Sequence, residues 1–158
     1  MDMDGMSYIH LELIDFYNYL DSKNIRFNII SSGIGDFVLK FLEINNCSFV
    51  NLTVTSNFLN FDRNGFVIGF KDSLIHNLNK HYFSLEKTNK DYVLLIGDQV
   101  SDIMMVSGFD RDHVLAIAFV PDDNMNELES FKDVFDMVLT DEESFELLLK
   151  DLQSVLDK

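Results

Sequence analysis

The sequence predicts an α/β fold built on a mostly parallel β-sheet, and three observations support this prediction. Short apolar runs rich in β-forming residues alternate with segments of helical periodicity along the chain. The 158 residues suit one domain, and we find neither an internal repeat nor a low-complexity linker. Apolar residues make up 47% of the sequence, which is enough to build a packed core. In the resulting βαβ units, ligands are expected at the carboxyl ends of the strands.

In the first half of the chain, helices and strands alternate before a hairpin. Helices are predicted over 9–20 and 37–44, and strands over 26–30 and 52–58. A hairpin over 60–70 is predicted to turn at Arg63-Asn64-Gly65, because Asn-Gly favours tight turns.

The second half of the chain continues the alternation. A helix is predicted over 72–85, with Asp72 as its N-cap. Three apolar runs then predict strands, at 92–97, 114–120 and 136–139. Helices are predicted between or after them, at 124–133 and 142–157.

Composition excludes several classes of function. A net charge of −15 argues against binding to nucleic-acid polymers or to an anionic membrane surface, since both require a basic face. The single cysteine, Cys47, rules out an internal disulfide and a Cys-rich zinc site, and it is expected in the core. No apolar run approaches the roughly 20 residues of a membrane span, and the N-terminus does not resemble a signal peptide. We therefore expect a cytoplasmic protein.

The segment "SSGIGD" and the residue Lys80 carry groups that could bind a phosphate. In "SSGIGD", Ser31, Ser32 and Gly33 follow a predicted strand and precede a helix, an arrangement that either caps the helix or holds a phosphate. The glycine spacing does not fit the dinucleotide-binding fingerprint. Lys80 is either a solvated surface lysine or a cation that neutralises a phosphoryl oxygen.

In "LLIGDQVSD", an apolar strand ends in one carboxylate and a second follows four residues later. Asp98 is well placed to ligate Mg²⁺ directly, whereas Asp102 could ligate, hold a metal-bound water or orient a neighbour. The alternative is an ordinary acidic loop that caps the next helix. The four histidines show no metal-ligand spacing: His10, His76, His81 and His113.

Taken in order, the serine, the lysine and the "GDxxxD" pattern resemble motifs two, three and four of the haloacid dehalogenase superfamily. The stretches "FNIISSGIGDFV", "SNFLNFDRNGFVIGFK", "LIHNLNKH" and "LLIGDQVSD" are more specific. They resemble the eukaryotic cytosolic pyrimidine 5'-nucleotidases and their relatives that hydrolyse 7-methylguanosine phosphate. The resemblance extends from about residue 11 to about residue 155.

The resemblance implies a haloacid-dehalogenase-like Rossmannoid parallel sheet with flanking helices and a β-hairpin. It also implies Mg²⁺-dependent hydrolysis of a nucleoside 5'-monophosphate through an aspartyl-phosphate. Residue by residue, Ser31 and Ser32 with Gly33 match the phosphate-binding segment, and Lys80 matches the lysine that contacts phosphate and stabilises the charged intermediate. Asp98 and Asp102 match the metal-binding motif, although Gln99-Val100-Ser101 replaces the usual Ser-Gln-Gly between them.

The sequence departs from the family at its first motif, an apolar strand ending in Asp-x-Asp-x-Thr that supplies the nucleophile. Asp2 and Asp4 have the right mutual spacing, but no apolar strand precedes them and no threonine follows, so we interpret the match as coincidence. The helical cap that selects the base is not found either. Because the family's first strand lies centrally, between the strands carrying Ser31 and Asp98, we expect an incomplete sheet. We therefore predict a fragment, a truncated gene model or isoform, or one part of a split protein that an N-terminal segment would complete. By itself, this chain is expected to hydrolyse little or no substrate.

Three functions follow from these features. The first is a 5'-nucleotidase of which this chain is the C-terminal core. The second is a catalytically inactive, truncated module of the same fold that binds phosphate or a partner chain. The third, an acidic receiver like those of response regulators, fits poorly because the order of its acidic residues and strands is different.

Overall fold

The computed structural model describes residues 11–47, 49–83, 92–120, 126–140 and 145–157. Two parallel sheets and one hairpin make up its β-structure. The first sheet pairs β1 (Phe27–Ile34) with β2 (Leu52–Asn57), and the second has the order β5 (Val93–Gly97), β6 (Val114–Val120), β7 (Met137–Thr140). Between them in sequence, β3 (Leu59–Phe61) and β4 (Val67–Phe70) form an antiparallel hairpin. The predicted α/β class with parallel strands is confirmed.

In the described ranges, four α-helices flank the sheets: α1 (Leu11–Ser22), α2 (Gly35–Ile44), α3 (Leu128–Lys132) and α4 (Phe145–Leu156). Short 3₁₀ helices occupy Lys80–Phe83, Val100–Val106 and Arg111–His113. No helix in the described ranges is long and apolar enough to cross a membrane.

The core forms because the apolar stripe of each helix meets an apolar strand. Strand β6 is an almost continuous apolar run, and Ala116, Ile117, Ala118 and Val120 are completely buried, as expected for a strand covered on both faces. One cluster joins Phe16 of α1 and Leu148 of α4 to both sheets, and it includes Cys47, whose predicted core position is confirmed. Shared side-chain packing therefore holds together two sheets that are separate in their hydrogen bonding.

The predicted hairpin turn at 63–65 is confirmed. Asp62 accepts hydrogen bonds through Oδ1 from the backbone amides of Asn64 (2.9 Å) and Phe66 (2.8 Å). Gly65 has a φ of +85°, a conformation that glycine adopts without the steric cost that other residues incur.

Two predicted elements differ from the structure. Strand β1 does not stop before "SSGIGD" but continues through Ile34, with an irregular register against β2 after Ile30. The helix predicted over 72–85 is wrong for its described part, since only Lys80–Phe83 is helical and Asp72 caps no helix. Side-chain amides hold this segment in a non-helical path, as described below.

Candidate active site

A cleft of about 310 Å³ lies at the carboxyl ends of β1 and β5. Polar groups from three separate parts of the chain line it, together with one apolar residue: Ile30, Ser31, Ser32, Asn77, Lys80, Asp98 and Gln99. Four of the residues predicted from sequence therefore meet at one place, although up to 67 positions separate them in the chain.

On the β1 side, the two serines differ in their hydrogen bonds. Ser31 accepts a hydrogen bond through Oγ from the backbone N–H of Gly33 at 3.1 Å, whereas the Ser32 hydroxyl donates to Oδ1 of Asn77 at 3.1 Å. Gly33 does not line the cleft, and its carbonyl accepts from the Ser56 hydroxyl at 2.9 Å. The Gly33 amide is paired with Ser31 in this arrangement, so the phosphate-binding role of Gly33 stays a prediction.

Lys80 and Asp102 form a buried ion pair at the base of the cleft. The ammonium of Lys80 lies 2.8 Å from Oδ1 of Asp102, and the two side chains are 9% and 3% exposed. The other carboxylate oxygen, Oδ2, accepts the backbone N–H groups of Asp98 and Gln99, both at 3.3 Å. Asp102 therefore fixes both the lysine and the loop that follows β5.

Gly97 permits this close approach of Asp102 to the end of β5. A Cβ atom at position 97 would lie 2.8 Å from Cβ and 2.9 Å from Oδ2 of Asp102. Real Cβ atoms essentially never come so close to other heavy atoms. The glycine that ends the strand is thus required by the packing of the buried carboxylate.

Asn57, at the end of β2, positions the segment that leads to Lys80. It is 8% exposed, and its Oδ1 accepts the Ile75 N–H at 2.7 Å. Its Nδ2 donates to the carbonyls of Ser32 (2.8 Å) and Ile75 (2.9 Å). One buried amide therefore ties the Lys80 segment to β1.

Asn79 stabilises the same segment locally. It accepts the His76 N–H through Oδ1 at 2.7 Å and donates through Nδ2 to the Leu74 carbonyl at 2.9 Å. These bonds occupy backbone groups that a helix over 72–85 would have used, which explains why that helix does not form.

Asp98 is the exposed carboxylate of the cleft. Within the described ranges, no group of three or more His, Cys, Asp or Glu residues is placed to hold a metal ion. Mg²⁺ nonetheless binds through one or two carboxylates when waters and substrate phosphates complete its coordination. Asp98 fits that pattern, whereas both oxygens of Asp102 are already engaged.

Sequence reasoning missed Asn57, Asn77 and Gln99. Gln99 lines the cleft and caps the 3₁₀ helix Val100–Val106 in a reciprocal pair with Asp102. Its position between two predicted metal ligands was a usable signal. Asn57 and Asn77 gave none, because their partners lie 18 to 45 positions away. Asp2 and Asp4 lie outside the described residues.

Comparison with known proteins identifies the family. Residues 6–156 match the family profile described as Pyrimidine 5'-nucleotidase (UMPH-1). The chain belongs to the pyrimidine 5'-nucleotidase family. The resemblance inferred from the motifs is therefore confirmed.

Several relatives of this pyrimidine 5'-nucleotidase family member are named for their activity. The 7-methylguanosine phosphate-specific 5'-nucleotidase of Homo sapiens is 32% identical over 149 residues, covering 89% of this chain and 50% of the relative. The protein of the same name from Drosophila melanogaster is 30% identical, covering 91% and 47%. The chain thus spans about half the length of these curated relatives.

A solved structure supports the fold. The crystal structure of cytosolic 5'-nucleotidase IIIB bound to cytidine matches with a TM-score of 0.73 and 28% sequence identity. The match covers 90% of this family member and 52% of that chain. The haloacid-dehalogenase-like fold predicted from sequence is confirmed.

Proposed function

We propose that this chain forms the phosphate-binding part of a Mg²⁺-dependent 5'-nucleotidase. The enzyme would hydrolyse nucleoside 5'-monophosphates, of pyrimidine or 7-methylguanosine type, to nucleoside and phosphate. The observation that carries the proposal is the meeting of Ser31, Ser32, Lys80 and Asp98 at one cleft in a member of this family. The names of the relatives supply the substrate class, and those that include the word cytosolic support a cytosolic location.

In this proposal Lys80 binds the phosphoryl group. Its ammonium has three N–H donors, and the bond to Asp102 uses one of them. A phosphoryl oxygen in the cleft would accept another, and the fixed positive charge would stabilise the negative charge that develops during transfer. Asp102 acts through Lys80 by holding the ammonium in place.

Mg²⁺ would be held by Asp98 together with phosphate oxygens and waters. When bound, the ion would shield the charge on the phosphoryl oxygens. The predicted direct bond from Asp102 to Mg²⁺ stays a prediction. Such a bond would compete with the hydrogen bonds that Asp102 accepts from Lys80 and from two backbone amides. Ser31 contributes a hydroxyl to the lining of the cleft.

The nucleophile would come from a complementing segment. Within the described residues, β1 hydrogen-bonds only to β2 and β5 only to β6, so each has an edge available to another strand. A segment carrying the apolar strand and the Asp-x-Asp-x-Thr motif would pair with these edges and deliver its aspartates to the cleft. The isolated chain would then hydrolyse little substrate.

The same open edges favour a second candidate, a module without catalytic activity. Such a protein would bind phosphate in the cleft, or a partner chain along β1 and β5, without turnover. It differs from the first candidate only in whether a nucleophile is ever supplied.

Two measurements test the proposal. Calorimetry with inorganic phosphate and Mg²⁺ should detect binding that Asp98→Ala weakens, while Asp133→Ala, an exposed carboxylate outside the cleft, leaves it unchanged. Equal binding by the wild type and Asp98→Ala would contradict the assigned metal site.

Phosphate release from cytidine, uridine and 7-methylguanosine monophosphates then separates the candidates. Activity that appears only after a peptide with the strand and Asp-x-Asp-x-Thr motif is added supports the nucleotidase. Phosphate binding without release under both conditions supports the inactive module. Turnover by the chain alone that survives loss of Asp2 and Asp4 would contradict the need for complementation.

A further inference from the structure

Asn77 is a polar residue of the cleft to which no role has yet been given. It lies in the non-helical segment before Lys80 and lines the cleft with Ser32 and Asp98. Its Oδ1 accepts the Ser32 hydroxyl at 3.1 Å. A carboxamide has one acceptor oxygen and two N–H donors, and Nδ2 of Asn77 makes no hydrogen bond within the described part of the chain.

The bond to Asn77 changes what Ser32 offers a ligand. A serine hydroxyl has a single O–H donor, and here it points to Asn77. In this arrangement Ser32 presents lone pairs to the cleft, and lone pairs do not stabilise an anion. The donor at this wall of the cleft is instead the amide of Asn77.

The charges of the cleft increase the need for a neutral donor. Lys80 carries one positive charge, while Asp102 and Asp98 carry two negative charges, so the three side chains sum to −1. A Mg²⁺ ion held by Asp98 would bring that sum to only +1, which is less than the charge of a phosphate dianion. An N–H donor without charge stabilises an anion while adding no further negative potential. Asn77 supplies two such donors on the side of the cleft nearest Ser32.

The segment that carries Asn77 is held firmly. The buried Asn57 amide bonds Ile75 on both its N–H and its carbonyl, two positions before Asn77. The side chain of Asn79 accepts the His76 N–H and donates to the Leu74 carbonyl, so it holds the residues on either side of Ile75. These bonds fix the backbone that leads to Asn77, and the bond from the Ser32 hydroxyl orients its exposed side chain.

We infer that Asn77 is a further substrate-binding residue, which donates its carboxamide N–H groups to the phosphate while Ser32 anchors its oxygen. This inference rests on the proposed function, because it assigns a role within the same phosphate site. It assigns the hydrogen-bond donor on this side of the phosphate site to a residue 45 positions away in sequence from Ser32.

The sharpest test is Asn77→Asp, since aspartate keeps the shape and the acceptor for the Ser32 hydroxyl while removing both donors. Calorimetry with inorganic phosphate and Mg²⁺ should show at least tenfold weaker binding, in line with the loss of about one hydrogen bond to a charged group. Asn77→Ala, which adds no charge, should weaken binding by about tenfold. Asn64→Asp in the exposed hairpin turn adds the same charge away from the cleft and should leave binding unchanged.

Ser32→Ala separates the two serine roles, since it removes the anchor and leaves the Asn77 donors. It should weaken binding less than Asn77→Ala does. Thermal unfolding of each variant should show that the Asn77→Asp protein remains folded.

The outcomes distinguish this inference from the proposed function. Phosphate binding that Asp98→Ala weakens but both Asn77 variants leave intact would overturn the role of Asn77 alone. A larger loss in Ser32→Ala than in Asn77→Ala would return the donor role to the serine. No phosphate binding by the wild-type chain would overturn both proposals.

Discussion

The substitution Asp102→Asn tests whether the buried ion pair organises the cleft. It keeps the size of the side chain but removes its charge and replaces one acceptor oxygen with an NH₂ group. Asp102 accepts from Lys80 through Oδ1 and from two backbone amides through Oδ2, so the NH₂ group would face a donor on either side.

The expected cost follows from burial. With a side chain only 9% exposed, the Lys80 ammonium would be solvated only from the cleft after its partner is neutralised. Removing one partner of a buried pair typically lowers the free energy of unfolding by about 3–5 kcal/mol, because the remaining charge is left uncompensated. For a domain of this size, that loss lowers Tm by about 10 °C.

Urea unfolding, followed by circular dichroism, measures this change. The control is Glu43→Gln, which breaks the Lys40–Glu43 pair whose side chains are 61% and 65% exposed, and it should cost at most about 1 kcal/mol. Adding Lys80→Met to Asp102→Asn should recover part of the loss, since the unpaired charge is then removed. A cost for Asp102→Asn no larger than that of Glu43→Gln would refute the reasoning.

Three further predictions concern stability. Gly97→Ala should lower the free energy of unfolding by about 1–3 kcal/mol in urea, because the new methyl group meets Asp102 at 2.8 Å. Burial raises the pKa of Tyr17 to about 12. The wild type should therefore lose stability from pH 10 to 12, because the tyrosine ionises first in the unfolded chain. Urea unfolding at each pH should show that Tyr17→Phe does not undergo this loss. Although burial opposes ionisation, hydrogen bonds from Arg111 and a backbone amide hold the pKa of Asp136 below 3.8. The stability that Asp136 provides over Asp136→Asn should therefore be complete above about pH 4 and disappear as the pH falls through that lowered pKa, as measured by urea unfolding.

Each of these predictions has a contradicting outcome. A Gly97→Ala protein as stable as the wild type would mean that Asp102 can shift without cost. Parallel stability curves for Tyr17→Phe and the wild type above pH 10 would show that the phenol reaches water in the folded state. A difference between Asp136→Asn and the wild type that persists in acid would assign the effect to packing and not to charge.

Much of the site was accessible from sequence because it depends on strand ends. The apolar runs before Ser31 and Asp98 indicate parallel strands, and the carboxyl ends of parallel strands lie on one side of a sheet. That rule predicts that the two residues lie close together. In the structure β1 and β5 belong to separate sheets, and the core cluster shared by both sheets holds them together. The functional role of Lys80 was predicted from the family motif alone, because a lysine in a connecting segment is ordinarily a solvated surface residue.

The rest depended on contacts between distant residues. Helical periodicity predicted a helix over 72–85, but Asn57 and Asn79 satisfy the backbone of that segment in another conformation. The same conformation places Asn77 within hydrogen-bonding distance of Ser32, and no local sequence pattern indicates this contact. The end of β1 was missed because Ser31 and Gly33 signal a turn, whereas the strand continues across an irregularity there and pairs with β2 again at Ile34.

The edges of β1 and β5 have a consequence for handling the protein. The backbone groups that these edges leave unpaired within the described ranges, together with the exposed side chains of Phe66 and Ile68 on the hairpin, offer other copies a surface on which to aggregate. The net charge of −15 opposes such contacts by mutual repulsion, but that repulsion reaches only about 8 Å at physiological ionic strength. Colloidal stability should therefore fall as salt is added, and dilute, low-salt buffers should keep the chain in solution.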